Sequence, residues 1–322
     1  MKGFDPKYED PPDFILGITK EIWEDRGIAT LRRYYAETMP VRSPASVVVG
    51  NEGVIAATMA TLAEFPDRTL LGEDVIWSGD DESGFLSSHR LFSTATHLGD
   101  GIYGKATGRS LRYRIIADCA AKNNQIYDEW LIRDQGAILR QLGVEPRQYA
   151  ADRIAAEGGP ESCVRPLTPE TDVEGGYTGR GNDNEFGQRY ADILNRVMQA
   201  DMAAVPLVYD RAAQLELPGG VTGHGWDAAD RFWMGLRSAF PSATFEIHHV
   251  IGRDDPAMPP RAALRWSLWG RHDGVGAFGE PTGARVYVMG ISHAEFGPRG
   301  LRREWVLLDE TAIWKQILMH TG

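Results

Sequence analysis

The chain repeats its own sequence after 175 residues, and no other feature restricts its fold as strongly. Aligned without a gap, positions 34–141 and 209–316 share 23 identical residues out of 108. The identical pairs include Phe65 with Phe240, His97 with His272, Glu129 with Glu304 and Asp134 with Asp309. A gapless repeat of this length predicts that one fold is built twice.

A length of 322 residues fits two domains. We place these domains at residues 1–143 and 185–322. The connector, residues 144–184, is rich in proline, glycine and polar residues, which is typical of a linker on the surface. Its segment 149–156 can form a short helix.

The composition excludes several kinds of partner. The formal net charge is −11 and no basic cluster is present, so nucleic-acid binding is not expected. Cys119 and Cys163 form no C-x-x-C pair, which fits a reducing compartment. The N-terminus lacks the apolar core of a signal peptide, and no apolar run is long enough to span a bilayer. We therefore expect a cytoplasmic protein that binds neither nucleic acid nor membranes.

Each repeat is predicted to begin with helices and to continue with strands. Apolar residues at helical spacing predict two helices at 13–37, broken at Gly27, and corresponding helices at 186–212. A third helix in each copy, 51–65 and 227–240, ends at a Phe-Pro pair. The period then changes to two, which predicts strands at 70–77, 87–98, 109–121 and 125–134, and at 244–252, 261–272, 284–296 and 301–309. We expect two tandem α+β cones, each with three N-terminal helices packed on a curved antiparallel sheet, whose interiors can hold a ligand.

A glycine-rich stretch at residues 99–104, with its copy at 274–279, has the spacing of a dinucleotide-binding loop. Such a loop requires a helix after the glycines, because the N-terminus of that helix meets the pyrophosphate. In both copies a predicted strand follows instead. We therefore interpret the glycines as a tight turn between strands.

Several segments resemble the SnoaL-like polyketide cyclase family. Residues 18–143 resemble it through "IWEDRG", "EFPDRTLLGEDVI" and "DEWLIRDQGAILRQLG", and residues 190–318 through "AFPSATFEIHHVI" and "REWVLLDETAIWKQ". The family belongs to the nuclear-transport-factor-2-like (cystatin-like) superfamily of cone-shaped α+β barrels. The resemblance implies ring closure by intramolecular aldol condensation without a metal or organic cofactor, with an acidic side chain in the cone as general acid or base. Relatives with the same cone isomerise, hydrate, dehydrate or cleave small apolar substrates, and others only bind.

The last strand departs from the family's pattern, which commonly reads Glu-His-Trp-Asp-x-x-Asp. Here Glu129 and Glu304 stand at the histidine of the pattern. Leu131 and Val306 stand at its first aspartate, the residue that the resemblance makes the acid–base group of cyclases. Only the last aspartate is kept in both copies, so the usual cyclase acid is absent from both.

The kept aspartates, Asp134 and Asp309, each end a predicted strand. A carboxylate partly buried in an apolar cone has a raised pKa, which suits proton transfer near neutral pH. Alternatively, each aspartate caps the helical turn that follows it. His97 and His272, at the entrance to the glycine turn, either relay a proton and orient a carbonyl or fix the turn structurally.

The last hairpin of each copy offers further catalytic candidates. If the turns lie at "KNNQ" and "GPRG", Asp118 faces Glu129 and His293 faces Glu304. His293 with Glu304 would form an acid–base pair, and Asp118 with Glu129 would be two carboxylates that share a proton. The alternative is a solvated outer face of the sheet. A register shift of one residue would reverse every orientation.

The candidates for substrate binding are Arg90, Arg133, Arg265, Trp130 and Trp305. Arg90 and Arg265 either bind a substrate carboxylate or pair with a carboxylate on a neighbouring strand. Arg133 has a leucine as its counterpart, so an Arg–Asp site exists only in the first copy. The tryptophans either line a pocket for a planar ligand or belong to the core or an interface. No metal-binding, serine-hydrolase or P-loop motif is present, so we assign no metal site.

These features predict a cofactor-independent acid–base enzyme that acts on a small, largely apolar carbonyl or hydroxyl compound, as a cyclase, isomerase, dehydratase or lyase. The alternative is a non-catalytic protein for ligand binding or dimerisation. Because cones of the family commonly dimerise through the sheet, we expect the two halves to pack as an intramolecular pseudo-dimer, and a homo-oligomer is also open. One half can be catalytic and the other structural.

Overall fold

The computed structural model describes residues 1–322, and each copy of the repeat combines helices with a six-stranded sheet. The helices of the first copy are α1 (Pro11–Thr19), α2 (Leu31–Tyr34), α3 (Asn51–Glu64) and α4 (Gln135–Leu142). Its strands are β1 (Pro40–Ser43), β2 (Ser46–Val49), β3 (Leu71–Asp80), β4 (Gly84–Thr96), β5 (Ser110–Lys122) and β6 (Gln125–Arg133). The strand order is β2-β1-β6-β5-β4-β3.

The second copy follows the connector helix α5 (Pro146–Ala156) and repeats this plan. Its helices are α6 (Glu185–Met198), α7 (Val205–Val208), α8 (Gly225–Ala239) and α9 (Glu310–Thr321). Its strands are β7 (Tyr209–Leu217), β8 (Val221–His224), β9 (Thr244–Arg253), β10 (Arg261–Arg271), β11 (Arg285–Gly297) and β12 (Gly300–Leu307). The strand order, β8-β7-β12-β11-β10-β9, is that of the first sheet.

The predicted fold class, two tandem α+β cones, is confirmed, and all eight long strands lie within a few residues of their predicted bounds. One feature was not predicted. A short hairpin, β1–β2 and its copy β7–β8, extends each sheet and pairs in parallel with the last strand. Each sheet is therefore mixed rather than wholly antiparallel. The four-residue strands β1, β2 and β8 are too short for alternation to reveal them, and the nine-residue strand β7 was missed because the stretch from Tyr209 was predicted as the end of a helix.

The helices begin and end where local chemistry dictates. Asp10 accepts a hydrogen bond from the Asp13 N–H at 2.8 Å and so caps α1, whose first residue is a proline. The predicted break at Gly27 is confirmed, because a π-helical turn (Lys20–Glu24) precedes it and a 3-10 turn (Ile28–Thr30) follows. None of the helices is both long enough and apolar enough to cross a membrane.

The connector contacts both halves. After the predicted short helix, which is present as α5, the chain forms a bridge between Gly181 and Val250 on the edge strand β9. The Asn182 N–H donates to the Val250 carbonyl at 2.9 Å. On the other side, Arg42 of β1 pairs with Asp172 at 2.5 Å. The connector is thereby fixed to strand β1 of the first sheet and to the edge strand β9 of the second.

The two sheets contact each other through their outer faces. Apolar side chains from both sheets, with Leu167 of the connector, form two buried clusters there: Ile116, Ile132, Leu167, Met289, Ile291 and Leu307, and Ile76, Leu86, Ala120, Ile251 and Ala263. Buried ion pairs also cross between the halves, such as Arg265 with Asp118 at 3.1 Å. The concave faces of the sheets point away from this contact and toward the helices.

Candidate functional site

The cone of the first half encloses a cavity of about 670 Å³. Its walls are mostly apolar and come from α1, α3, the hairpin β1–β2 and the concave faces of β4, β5 and β6. A cavity of this size and polarity suits a ligand with several rings or a medium acyl chain.

Strand β6 places three side chains in the cavity in a row along its length: Glu129, Leu131 and Arg133. Glu129 pairs across the sheet with Cys119, and Leu131 with Ala117. Successive positions on one face of a strand lie about 7 Å apart. Glu129 thus lies one step along the strand from Leu131, where the family's pattern has its aspartate. The first cone keeps a carboxylate, shifted by that one step.

The Glu129 carboxyl group is buried and incompletely hydrogen-bonded. The residue is only 6% exposed, and its Oε2 has no hydrogen-bond partner. Burial raises the pKa of Glu129 to about 7, although the neighbouring Tyr35 and Cys119 side chains oppose the shift. A carboxyl group with this pKa is poised to give or take a proton near neutral pH.

His89 also lines the cavity, and sequence reasoning missed it. Its Nδ1 lies 3.3 Å from the Ser87 hydroxyl. Burial lowers the pKa of His89 to about 4, so the ring is neutral at physiological pH. A neutral imidazole can donate one hydrogen bond to a ligand oxygen without carrying a charge.

The glycine turn encloses the carboxylate of Glu64, another cavity residue that sequence reasoning missed. Glu64 accepts hydrogen bonds from the N–H groups of Ile102 (3.1 Å) and Tyr103 (2.9 Å), and lies 3.2 Å from His97 Nε2. A Cβ on Gly99, in the same turn, would lie 2.0 Å from the Ala63 carbonyl oxygen, a main-chain atom, so glycine is required there. The turn prediction is confirmed, and His97 anchors the turn rather than facing the cavity.

Two arginines, Arg68 and Arg133, line the cavity without a carboxylate partner. Arg68 is 8% exposed, and the Nε of each arginine is buried with no hydrogen-bond partner. The phenol groups of Tyr103 and Tyr113 lie beside them. Arg133 was a predicted substrate-binding residue, and the structure places it in the cavity. Arg68 was not predicted, because it lies in the loop between α3 and β3, where no periodicity exists.

The cone of the second half is filled by its own side chains. The indoles of Trp233 and Trp266 are fully buried in its core. A Cβ on Gly290 would lie 2.1 Å from the Trp266 ring, so this glycine provides the space for the indole. Glu304, the counterpart of Glu129, accepts hydrogen bonds from Tyr190 (2.8 Å) and Tyr209 (2.9 Å). Burial raises the pKa of Glu304 to about 7 as well, but Glu304 lines neither the cavity of the first cone nor the one between the halves.

The repeat shows which substitutions separate the open cone from the filled one. The register of the sheets agrees with the 175-residue offset, since His89 pairs with Ala117 as Leu264 pairs with Ser292. Under this offset five polar residues of the first cavity meet an apolar residue or a larger ring in the second copy: Thr58 meets Trp233, Glu64 meets Ala239, Arg68 meets Ala243, His89 meets Leu264 and Arg133 meets Leu308.

The predicted cross-strand pairs are wrong by one residue. Glu129 pairs with Cys119 rather than Asp118, and Glu304 pairs with Ala294 rather than His293. A bulge in each hairpin, between Ala120 and Ala121 and between Glu295 and Phe296, shifts the register. Asp118 and His293 therefore point to the outer faces of their sheets, away from the glutamates.

Both predicted residues of the outer faces are occupied by contacts between the halves. His293 lies 2.8 Å from the Ser88 hydroxyl and 2.9 Å from an Arg90 nitrogen. Burial, with the nearby Arg90 charge, holds the pKa of His293 well below its usual range. Asp118 pairs with Arg265 across the halves. His293 is thus placed in the contact between the sheets and reaches neither cone.

The arginine and tryptophan candidates other than Arg133 also lie between the sheets. Arg90 pairs with Glu73 of β3 at 2.9 Å and stacks on Trp305, with 3.6 Å between the guanidinium carbon and the ring centroid. Arg265 stacks on Trp130 at 3.5 Å in the same way. Of the two interpretations of these residues, ion pairing and an interface role are the ones observed.

The aspartates at the strand ends, Asp134 and Asp309, cap helices, which was the alternative to a role in proton transfer. Asp134 accepts from the Ala137 N–H (3.0 Å) and from Gly219 (2.8 Å) and Gly220 (3.0 Å) of the other half. Asp309 accepts from Thr311 N–H at 2.8 Å. Burial raises the pKa of each to about 6. Neither carboxylate lines the first cavity.

A second cavity, of about 600 Å³, lies between the halves and is lined by Asp134 and Trp305. Its charged side chains are largely paired: Arg114 with Glu216 at 2.9 Å, and Arg140 with Glu310 at 2.6 Å. This cavity lacks the unpaired groups of the first cone.

His272 lies in the second glycine turn as His97 does in the first. Its Nδ1 is 3.1 Å from the Thr282 hydroxyl, but its Nε2 has no partner because Ala239 replaces the glutamate. Burial lowers the pKa of His272. Across the chain, no group of three or more His, Cys, Asp or Glu side chains is arranged to hold a metal ion.

Comparisons with known proteins agree with this architecture. Residues 14–142 match the family model described as SnoaL-like polyketide cyclase, and residues 188–304 match that of the SnoaL-like domain. No curated protein matches the chain significantly.

Similar solved structures each correspond to part of the chain. IdmH of Streptomyces antibioticus, provisionally described as a polyketide cyclase, is 25% identical over 42% of this chain and 100% of its own, with a TM-score of 0.37. A SnoaL-like polyketide cyclase of Agrobacterium tumefaciens is 19% identical over 42% and 98%, with a TM-score of 0.33. An NTF2-like protein of unknown function from Mesorhizobium loti is 18% identical over 40% and 98%, with a TM-score of 0.29.

Proposed function

The chain belongs to the SnoaL-like family, with one such domain in each half, and on this basis we propose that it is a cofactor-independent acid–base enzyme whose active site is the first cone. One observation carries the proposal. The Oε2 atom of Glu129 has no hydrogen-bond partner and the residue lines an apolar cavity, whereas Glu304 accepts hydrogen bonds from two tyrosines in a cone filled by side chains.

The proposed reaction is proton abstraction from a carbon next to a carbonyl group. Glu129 takes the proton, and the electron pair of the broken C–H bond moves to the carbonyl oxygen to give an enolate. We propose the tautomer of His89 in which Nδ1 accepts from the Ser87 hydroxyl and Nε2–H donates to the enolate oxygen. Such a donor stabilises the charge that develops there.

The fate of the enolate decides the reaction type. Attack on a second carbonyl of the same molecule closes a ring, which is the aldol cyclisation of the family. Return of the proton at another carbon gives an isomerase, and loss of a β-hydroxyl gives a dehydratase. The reverse of the aldol step gives a lyase. In each case Glu129 is the group that exchanges the proton.

The second half is proposed to act as a scaffold. Its filled cone holds no ligand, and its sheet covers the outer face of the first. The buried clusters and ion pairs between the sheets support an intramolecular pseudo-dimer. Both cysteines are free, which is compatible with the cytoplasmic location that we include in the proposal.

The proposal is tested by the exchange of α-protons of 4-acetylbiphenyl in D₂O, followed by NMR. This ketone is small enough for the cavity and has an enolisable methyl group. We expect wild type and Glu304→Gln to catalyse the exchange, and Glu129→Gln to lose at least about a hundredfold of the rate, since a general base contributes this much. Equal rates for all three proteins would remove Glu129 as the base. Binding without exchange would favour a ligand-binding protein instead.

A further inference from the structure

The charged groups around the first cavity divide into paired and unpaired sets. Glu64 is held by His97 and two main-chain N–H groups. At the cavity mouth, Asp100 pairs with Lys105 at 2.6 Å and Arg153 pairs with Glu157 at 2.7 Å. The unpaired set consists of Glu129, Arg68 and Arg133.

The two unpaired arginines lie close enough to repel each other. Burial, with a smaller contribution from the charge of Arg133, lowers the pKa of Arg68. Taking a guanidinium out of water is costly unless an anion or several acceptors replace the water. The protein supplies phenols beside these groups and the charge of Asp309 near Arg133, but neither arginine forms an ion pair, although the other buried arginines do. This end of the cavity therefore has two guanidiniums without a carboxylate in direct contact.

We propose that Arg68 and Arg133 form the binding site for a carboxylate carried by the ligand of the first cone. A planar carboxylate can accept two parallel hydrogen bonds from a guanidinium, and two guanidiniums can share its oxygens. The apolar walls around the site select an organic acid over a free inorganic anion.

The position of the arginines also restricts the length of the ligand. Arg133 and Glu129 lie on the same face of β6, four residues apart, which corresponds to about 13 Å along the strand. The ligand class is therefore an elongated apolar acid, with a carboxylate at one end and an enolisable carbonyl at the other. The carboxylate site stands on its own, and only the placement of the carbonyl rests on the proposed function.

The second copy of the repeat provides the variants for the test. It has Ala243 and Leu308 where the first copy has Arg68 and Arg133, so Arg68→Ala and Arg133→Leu introduce residues that this fold already accepts. Arg153→Ala is the matched control, because it removes a cation from the cavity mouth that has its own partner.

The experiment compares two ligands by titration calorimetry at pH 8: 4′-acetylbiphenyl-4-carboxylate and the neutral 4-acetylbiphenyl. We expect wild type and Arg153→Ala to bind the acid at least about tenfold more tightly than the neutral ketone. Arg68→Ala and Arg133→Leu should each lose most of this preference while binding of the neutral ketone changes little.

The affinities of wild type for the acid and for the ketone can refute the carboxylate site even if a variant does not fold. Equal affinity for acid and ketone in wild type would overturn the carboxylate site. A preference that survives both substitutions would overturn its assignment to Arg68 and Arg133. These outcomes are independent of turnover. Absence of proton exchange in wild type would refute the proposed function. Absence of the acid preference alone would refute only the carboxylate site.

Discussion

Replacement of Glu129 by glutamine tests the electrostatic account of the first cone. Glutamine has the same shape but cannot ionise. The pKa of Glu129 is about 7 in the folded protein against 4.5 for an ordinary glutamate. Each unit is worth about 1.4 kcal/mol, so the ionised carboxylate destabilises the folded state by roughly 3 kcal/mol.

The sign of the effect follows from proton binding. Between pH 4.5 and 7 the folded protein keeps the Glu129 proton while the unfolded chain has lost it, so stability falls as the pH rises through this window. Glu129→Gln removes the fall. We expect the variant to match wild type near pH 4 and to exceed its free energy of unfolding by up to about 3 kcal/mol at pH 8.

Urea unfolding at half-unit steps of pH measures the difference in free energy of unfolding between variant and wild type. The contributions of the other titrating groups cancel in this difference. Glu304→Gln is the matched control. It loses the same pH dependence but starts about 1–3 kcal/mol less stable, because Tyr190 and Tyr209 lose a carboxylate acceptor. A difference for Glu129→Gln that stays constant from pH 4 to 8 would refute the raised pKa and the reasoning built on it.

Three further substitutions probe other parts of the account. Thr58→Trp places in the first cone the residue that the second has as Trp233, and should lower ligand affinity at least about tenfold by calorimetry; unchanged affinity would contradict the cavity assignment. Asp134→Asn removes an acceptor from buried main-chain N–H groups and should cost about 1–2 kcal/mol in urea unfolding, without changing the rate of proton exchange. A lost rate at full stability would return Asp134 to the catalytic candidates. Arg265→Met leaves Asp118 buried and unpaired and should cost about 3–5 kcal/mol, most of which Asp118→Leu should restore in the double variant; equal losses in single and double variants would contradict the pairing.

The fold was largely predictable because its main signals are long. The repeat spans more than a hundred positions, and the eight predicted strands alternate over eight or more residues. The β1–β2 hairpin has four residues in each strand, which is less than the length over which alternation becomes visible.

The site was harder to predict because a single bulge changes which residues of two paired strands share a face of the sheet. The extra residue, Tyr127 of β6, leaves the hydrophobic pattern of β5 intact but moves Asp118 from opposite Glu129 to opposite Trp130. Glu129 itself was among the candidates, but through an expected pair with Asp118 that the structure does not form. His89 lies beside Arg90 in the sequence, and alternation would have placed it on the opposite face from Arg90.

The filled second cone was visible in the sequence once the copies are compared position by position. The second copy has tryptophan at the positions equivalent to Thr58 and Leu91. It has glycine at the position equivalent to Ile115, where the Trp266 ring needs space. Which copy had an open cone still required the structure, because the volume inside a cone depends on how the helices pack across it.

A crystal structure with 4′-acetylbiphenyl-4-carboxylate bound tests most directly the claim that only the first half is a working cone. We expect density for one ligand in each chain, inside the first cone, with its ketone beside Glu129. The second cone should remain filled by Trp233 and Trp266. Density among the second-cone tryptophans, or only in the cavity between the sheets, would contradict the account.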